Sequence, residues 1–303
     1  MSNDIEKVSE WWATDRGKGM HSWLQHPVAR RAINLRVTGD PELSTVSWFK
    51  SKFVPEPVAD CLALGCGHGV FDRHAIEFGI ARRVLAIDIS HGAIEAARRA
   101  AEQAGLAEHI EYKVGDINEL ELPPVAYDLI VAMSSIHHVT ALESLFGQCT
   151  QALKPGGLLF MDEYIGPTRF QTPPALRELI DGLLRSLPER YRLNLFSNDG
   201  STKDEYTVPT VEQAIFVDPS EAARSAEIMT VLREYFEIIE YRPYGGGIQH
   251  QLFSGIMGNF DPEDEHDVAL LKAISDLEES LEKVGAAPSD FAAVVARPLA
   301  HRR

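Results

Sequence analysis

The sequence predicts an α/β fold: an open, seven-stranded, mostly parallel sheet with helices on both faces, a helical segment before it and a helical insertion within it. Three observations predict this. From Val58 onward, short apolar segments alternate with segments of helical period. The first apolar segment runs into Leu64-Gly65-Cys66-Gly67-His68-Gly69, a glycine-rich turn that opens a helix. The chain has 303 residues, 45% of them apolar, enough for one large domain with insertions.

Residues 58–64 form the first predicted strand. Phe71, Ala75 and Phe78 then give one apolar helix face, which Gly79 ends. Residues 84–89 are the second strand. Ser90 caps a helix whose inner face is Ile94, Ala97, Ala101 and Ala104. Strands follow at 110–114 and 128–133. Thr140 and Glu143 read as a capping box before a helix carrying Leu142, Leu145, Phe146, Cys149 and Leu153. Pro155-Gly156-Gly157 turns the chain into a fifth strand, 158–162. Repeated units of this length imply parallel pairing with right-handed crossovers.

Residues 166–230 break the rhythm. Thr172 precedes a leucine-rich helix, Asn198-Asp199-Gly200 marks a loop, and Asp218-Pro219-Ser220-Glu221 reads as a helix start. Strand character resumes at 236–241 and ends in Gly245-Gly246-Gly247. Ile248, Leu252, Ile256 and Phe260 recur at helical spacing, as do Leu270, Ile274, Leu277, Leu281 and Val284. Residues 291–296 are the last strand. Residues 1–55 hold all four tryptophans, Trp11, Trp12, Trp23 and Trp48. The predicted organisation is a helical cap over 1–55, a core over 56–165 and 231–303, and a helical lid over 166–230. The cap reads both as packing on the core and as one wall of a substrate pocket.

Bulk properties narrow the function. The formal net charge of −16 repels a phosphate backbone, which argues against general nucleic-acid binding. The pairs Arg30-Arg31, Arg82-Arg83 and Arg98-Arg99 read as solvated faces. No run reaches the roughly 18 apolar residues of a membrane span. The first ten residues are polar and acidic rather than signal-like, so a cytoplasmic location is expected. Cys61, Cys66 and Cys149 form neither a disulfide framework nor a metal pattern.

Beyond the glycine-rich turn, three features stand at matching places. Asp88 ends the second strand, where an acid can accept both hydroxyls of a ribose. Asp116 follows the third strand in Val114-Gly115-Asp116-Ile117, where a carboxylate can accept an adenine amino group and Ile117 can cover the ring. Lys154-Pro155-Gly156-Gly157 precedes the fifth strand. Over roughly residues 56–165 the set resembles the class I S-adenosylmethionine-dependent methyltransferases, with their Rossmann-like sheet. The resemblance implies S-adenosylmethionine as cofactor. It implies that Gly65, Gly67 and Gly69 line the methionine moiety, Asp88 with Ile89 the ribose, and Asp116 with Ile117 the adenine, while Ser134 contacts the cofactor through its backbone. One departure stands out. The family often has an acid two residues before the first glycine, which helps hold the cofactor's amino group; this chain has Ala63, and Asp60 lies three residues further back.

Ile136-His137-His138-Val139, Asp162-Glu163-Tyr164-Ile165-Gly166-Pro167 and Asp218-Pro219-Ser220-Glu221 also resemble a branch of bacterial methyltransferases of small metabolites or glycans. Two other readings compete. A dinucleotide-dependent oxidoreductase places two residues between its second and third glycines, whereas only His68 separates Gly67 from Gly69. A non-catalytic nucleoside-binding or scaffold protein is compatible with Ala63.

Ligands of open α/β sheets bind beyond the carboxyl ends of the strands. The fourth, fifth and sixth strands deliver Ser134 to His138, Glu163 with Tyr164, and Gly245 to His250. Methyl transfer is a direct displacement, so the protein aligns the acceptor and removes its proton. His138, His137, Glu163 and His250 are the candidate bases; Tyr164 shapes the pocket and His68 is structural. No ligand spacing supports a metal. The expected reaction is O-methylation of a small-molecule or glycan acceptor, with C- or N-methylation of a secondary metabolite as the alternative. The leucine-rich faces of 166–230 suit a lid, and equally a homodimer contact.

Overall fold

Strand β1 (Val58–Leu64) sorts its side chains by alternation. Cys61 and Ala63 enter one buried cluster, Leu62 and Leu64 the other. Both faces are therefore apolar, as a central parallel strand requires. Leu62 stands opposite Leu85 of β2 (Ala81–Asp88) on one side and Ile130 of β4 (Tyr127–Met133) on the other. With β3 (Ile110–Val114), β5 (Leu153–Tyr164), β6 (Phe236–Gly245) and β7 (Phe291–Pro298), they make one sheet in the order β3-β2-β1-β4-β5-β7-β6. Strands β1 to β5 pair parallel, and β7 runs antiparallel between β5 and β6. The chain steps from β1 outward to β2 and β3, then returns to β4 on the other side of β1. That reversal opens a crevice at the carboxyl ends of β1 and β4. The computed structural model describes residues 21–197 and 199–300. Trp11, Trp12 and Asn198 lie outside them.

Before the sheet come α1 (Pro27–Thr38) and α2 (Thr45–Phe53). Phe49 of α2 stacks on Phe160 of β5, with ring centroids 4.0 Å apart, and Trp23 packs edge-on against Phe291 of β7. The segment is thus seated on the β5–β7 part of the sheet. Helix α3 (Val70–Glu77) follows the glycine turn. Helix α4 (His91–Gln103) starts where Ser90 Oγ accepts the N–H of Ala93, and it buries Ala93, Ile94, Ala97 and Ala101. Helix α5 (Leu142–Ala152) packs Leu142, Leu145 and Phe146 into the cluster on the opposite face.

Several local expectations change. Thr140 and Glu143 form no capping box. Asn118 Oδ1 instead accepts the N–H groups of Thr140 and Ala141, and Glu143 pairs with Arg224. The Asp218-Pro219-Ser220-Glu221 segment starts no helix. Asp218 Oδ1 accepts from Ser220 N at 2.8 Å and Ser220 Oγ at 2.6 Å, closing a turn. The Arg169 guanidinium donates to the carbonyls of Asp218, Pro219 and Glu221, which holds the turn in place. Helix α6 (Pro174–Ser186) is near its expected start, and α7 (Val211–Val217) was not expected, although Thr210 and Gln213 make a reciprocal capping box there. Helix α8 (Ile228–Tyr235) then leads into β6. The predicted helix through Phe260 stops early. Helix α9 (Gln249–Phe253) is followed by Gly255 at φ +74°, where an added Cβ would meet the Phe196 ring. Helix α10 (Glu265–Lys283) is longer than predicted, because Asp264 caps it through the N–H groups of His266 and Asp267. Among the described residues no helix is long and apolar enough to cross a membrane.

The Lys-Pro-Gly-Gly segment belongs to β5 itself. Lys154 Nζ reaches Asp60 Oδ2 and Asp128 Oδ2, each at 2.9 Å, and so ties β1, β4 and β5 together at the end remote from the crevice. Asp60 also pairs with Arg83. It is a framework residue and cannot replace an acid at Ala63.

Candidate functional site

A cavity of about 260 Å³ lies at the carboxyl ends of β1, β2 and β4. The turn after β1 forms its floor. Gly65 has φ +61°, and an added Cβ there would meet Ser135 Cβ at 2.3 Å; Gly67 has φ +52° and open space where a side chain would stand. Asp88 braces this turn. Its Oδ2 accepts Gly67 N at 2.7 Å and its Oδ1 accepts Ser90 N at 2.8 Å. Burial raises the acid, and those two N–H groups offset part of the rise.

Ile89, Asp116, Ile117, Asn118, Met133, Ser134 and Ser135 continue the wall. Asp116 Oδ1 accepts from Asn118 N and Nδ2, which fixes the turn after β3. Ser134 has φ +54°, and its N–H is spent on the Asp162 carbonyl at 2.8 Å. Gly69 lies outside the lining. A Cβ there would strike the Tyr112 hydroxyl and Ala97, so this glycine lets α3 start close to β3 and α4 rather than lining the methionine moiety.

The far wall is built by His138 and Ser220. His137 and His138 lie on one helical turn after β4 (Ile136–His138). Glu163, fully buried at the end of β5, pins that turn. Its Oε2 accepts from Ser135 N at 2.8 Å and Ile136 N at 2.6 Å, and its Oε1 takes His137 Nδ1 at 2.5 Å and Tyr164 N at 2.9 Å. Four donors on one carboxylate suit a positioning group better than the base expected from sequence. His137 Nε2 faces Glu221 Oε1 at 3.4 Å. Burial alone would lower the His137 acid, but Glu163, Glu221 and Asp218 raise it above the ordinary range. His138 Nδ1 meets Ser220 Oγ at 2.9 Å. Burial, with the charges of His137 and Arg169, holds its acid well below the ordinary range, so the ring is neutral at pH 7. His137, His138 and Glu221 offer three ligand atoms within 4.8 Å of one another, a set that sequence spacing did not suggest.

His250 is placed elsewhere. Its ring sits among Tyr164, Phe170 and Phe291, with centroids 5.6, 5.7 and 5.1 Å away, and burial lowers its acid to about 4. It lines an outer cavity with Phe170, Phe216, Asp218 and Glu221. The Asp218–Glu221 turn is therefore a partition: Ser220 faces the cofactor cavity, Asp218 and Glu221 the outer one.

The sequence reading missed Asn118, Arg169, Ser220 and Glu221 as parts of the site. Ser220 and Glu221 were visible in a motif read for resemblance, but their helix-start reading hid their place beside the histidines.

The cavity fits a cationic nucleoside. Two carboxylates stand on its wall, and among the described residues no lysine or arginine lines it to meet a pyrophosphate. A family described as "Methyltransferase domain" matches residues 62–161. The ubiquinone biosynthesis O-methyltransferase of Methylocella silvestris is 29% identical over 159 residues, 52% of this chain and 59% of that one. The sterol 24-C-methyltransferase of Aspergillus fumigatus is 27% identical over 205 residues, 65% of this chain and 53% of that one. The chain thus spans less than two thirds of these relatives' own lengths. The solved geranyl diphosphate C-methyltransferase of Streptomyces coelicolor A3(2) aligns with a TM-score of 0.57 at 12% identity, covering 97% of this chain and 98% of that one. At that identity the likeness speaks for the fold alone. Domain match, relatives and sheet agree: residues 62–161 match a methyltransferase domain, and the comparisons support the class I S-adenosylmethionine-dependent methyltransferase superfamily.

Proposed function

We propose that this protein transfers a methyl group from S-adenosylmethionine to a hydroxyl of a small-molecule or glycan acceptor, with His138 as the base. The observation that carries this reading is the place and state of His138. Its ring walls the cofactor cavity, is neutral at pH 7, and is oriented through Nδ1 by Ser220. A hydroxyl acceptor must lose a proton as the new bond forms, and a neutral imidazole can take it. When bound, S-adenosylmethionine supplies a methyl group already activated on a sulfonium. Gly65, Gly67, Asp88, Ile89, Asp116, Ile117 and Ser134 are the residues that would hold it.

In this reading His137 is a positioning residue. Glu163 fixes its Nδ1, and its other nitrogen orients Glu221. The His137, His138 and Glu221 set works without a metal ion. His250, Phe170 and Phe216 shape the outer cavity, whose apolar surface suits an acceptor with an apolar or aromatic face. The turn at Asp218–Glu221 must yield for an acceptor to reach the cofactor cavity. Residues 166–230 then act as a lid, and their hydrogen exchange should fall only when cofactor and acceptor are both present.

The test is transfer of labelled methyl into fractionated metabolites and glycans, with the labelled atom identified. The expected product carries a methyl ether, forms equally well after chelation, and forms about 10²–10⁴-fold more slowly in His138→Ala. Label on carbon or nitrogen would replace the hydroxyl acceptor by the alternative reading. Full turnover in the variant would remove His138 as base, and loss of turnover on chelation would make the triple a metal site.

A further inference from the structure

Ala63 leaves the amino group of the cofactor without the acid that the family often supplies. A buried acid lies beside it. Asp72 stands in the first turn of α3 and is 1% exposed. Asp72 and Ala63 line one cavity of about 220 Å³, which also touches Gly65, Cys66 and His68. Those three residues line the cofactor cavity too, so the glycine turn is a wall common to both.

Among the described residues, both carboxylate oxygens of Asp72 are buried without a hydrogen-bond partner. Burying an ionised carboxylate without donors is costly, and native proteins keep such a group where a ligand or a reaction uses it. The neighbouring Arg73 does not satisfy it; its guanidinium donates to the His68 carbonyl at 2.9 Å. Burial, aided by the charge of Asp88 and opposed by that of Arg73, pushes the Asp72 acid up to about 7. A cation arriving in this cavity would meet two acceptors already in place.

We propose that Asp72 holds the ammonium group of the cofactor's methionine moiety, replacing from the helix the acid that is absent from the strand at Ala63. The inference rests on the cofactor reading above. It explains two oddities together: a strand end lacking an acid, and an acid lacking a partner. The two positions meet because the glycine turn folds the start of α3 back over the end of β1.

The test is a cycle of two proteins and two ligands, read by calorimetry. The proteins are the wild type and Asp72→Asn. The ligands are S-adenosylhomocysteine and its analogue without the amino group. Losing a hydrogen bond to a charged group should weaken wild-type binding of the analogue by roughly ten- to a hundredfold. Asp72→Asn should weaken S-adenosylhomocysteine by a similar factor and bind both ligands alike. Ala63→Asp added to Asp72→Asn should restore part of the preference. Wild-type protein that binds the two ligands equally would overturn the inference without any variant. So would an Asp72→Asn protein that keeps the wild-type preference. Failure of the wild type to bind S-adenosylhomocysteine at all would overturn the cofactor reading instead.

Discussion

The two halves of the sheet build their sites differently. At the ends of β2 and β3, each wall residue ends or closely follows its own strand and is fixed by a local bond, Asp88 to Ser90 and Asp116 to Asn118, beside one longer bond from Asp88 to Gly67. On the far wall, where the residues after β4 meet β5 and the Asp218–Glu221 turn, the bonds leap along the chain. His138 meets Ser220 across 82 residues, Arg224 meets Glu143 across 81, and Glu163 reaches back 26 to His137. A shared cofactor can be held by a fixed local pattern. An individual acceptor needs a wall assembled from distant segments, and that wall is where relatives of one fold diverge.

The sharpest way to break this contrast is Glu163→Gln. The amide would set a donor against the N–H groups that Glu163 now accepts and remove the negative charge beside His137 Nδ1. The expected loss is about 3–5 kcal/mol of stability, measured by urea denaturation. The pair also has a pH signature. The His137 acid is raised above its unfolded value of 6.5. Its contribution is fully present below that value and is lost as pH rises through the raised one, so the variant should lack this decline. Equal stability and equal pH dependence would mean that the buried pair does not organise the acceptor side.

Asp88→Ala probes the other half. The carboxylate braces the backbone of the glycine turn and, on the proposed reading, also holds the ribose, so the variant should lose about 1.5–3 kcal/mol of S-adenosylhomocysteine affinity by calorimetry. It should also exchange the amide of Gly67 faster without ligand. A dissociation constant like that of the wild type in a folded variant would take Asp88 out of the site.

The smallest expected effect concerns Asp72 without ligand. Its acid lies at about 7 in the folded chain against 3.8 unfolded. The native state therefore keeps its proton longer, and stability from this group falls as pH rises from about 4 through 7. Asp72→Asn abolishes that fall. Its melting temperature should exceed that of the wild type by more at pH 8 than at pH 5. The reverse order would mean that Asp72 is paired in the free protein.

What was legible in the sequence follows the same division. Strand β1 was read to its ends, and Asp88, Asp116 and Ser134 were read into the wall they occupy, because each ends its strand or follows it by a residue or two. Gly69 was assigned with its neighbours, since nothing local shows that Tyr112 and Ala97 crowd it. The Asp218 turn was misread for a physical reason. An aspartate before proline and a following glutamate fit a helix start, but Asp218 closes a turn on Ser220 and the distant Arg169 holds that turn in place. Glu221 could not be paired with His137 from sequence, because no local pattern joins them. Asp72 was hidden for the opposite reason. It sits one position past the inward-facing Phe71 on a short helix and reads as an ordinary exposed acid.

The central claim is that the β1–β4 crevice is an S-adenosylmethionine site. Calorimetry on the purified protein with S-adenosylmethionine, S-adenosylhomocysteine and NAD tests it most directly. The account predicts micromolar or tighter binding of the first two and none of the third. Preference for NAD, or no binding of either methyl-cycle compound, would contradict it.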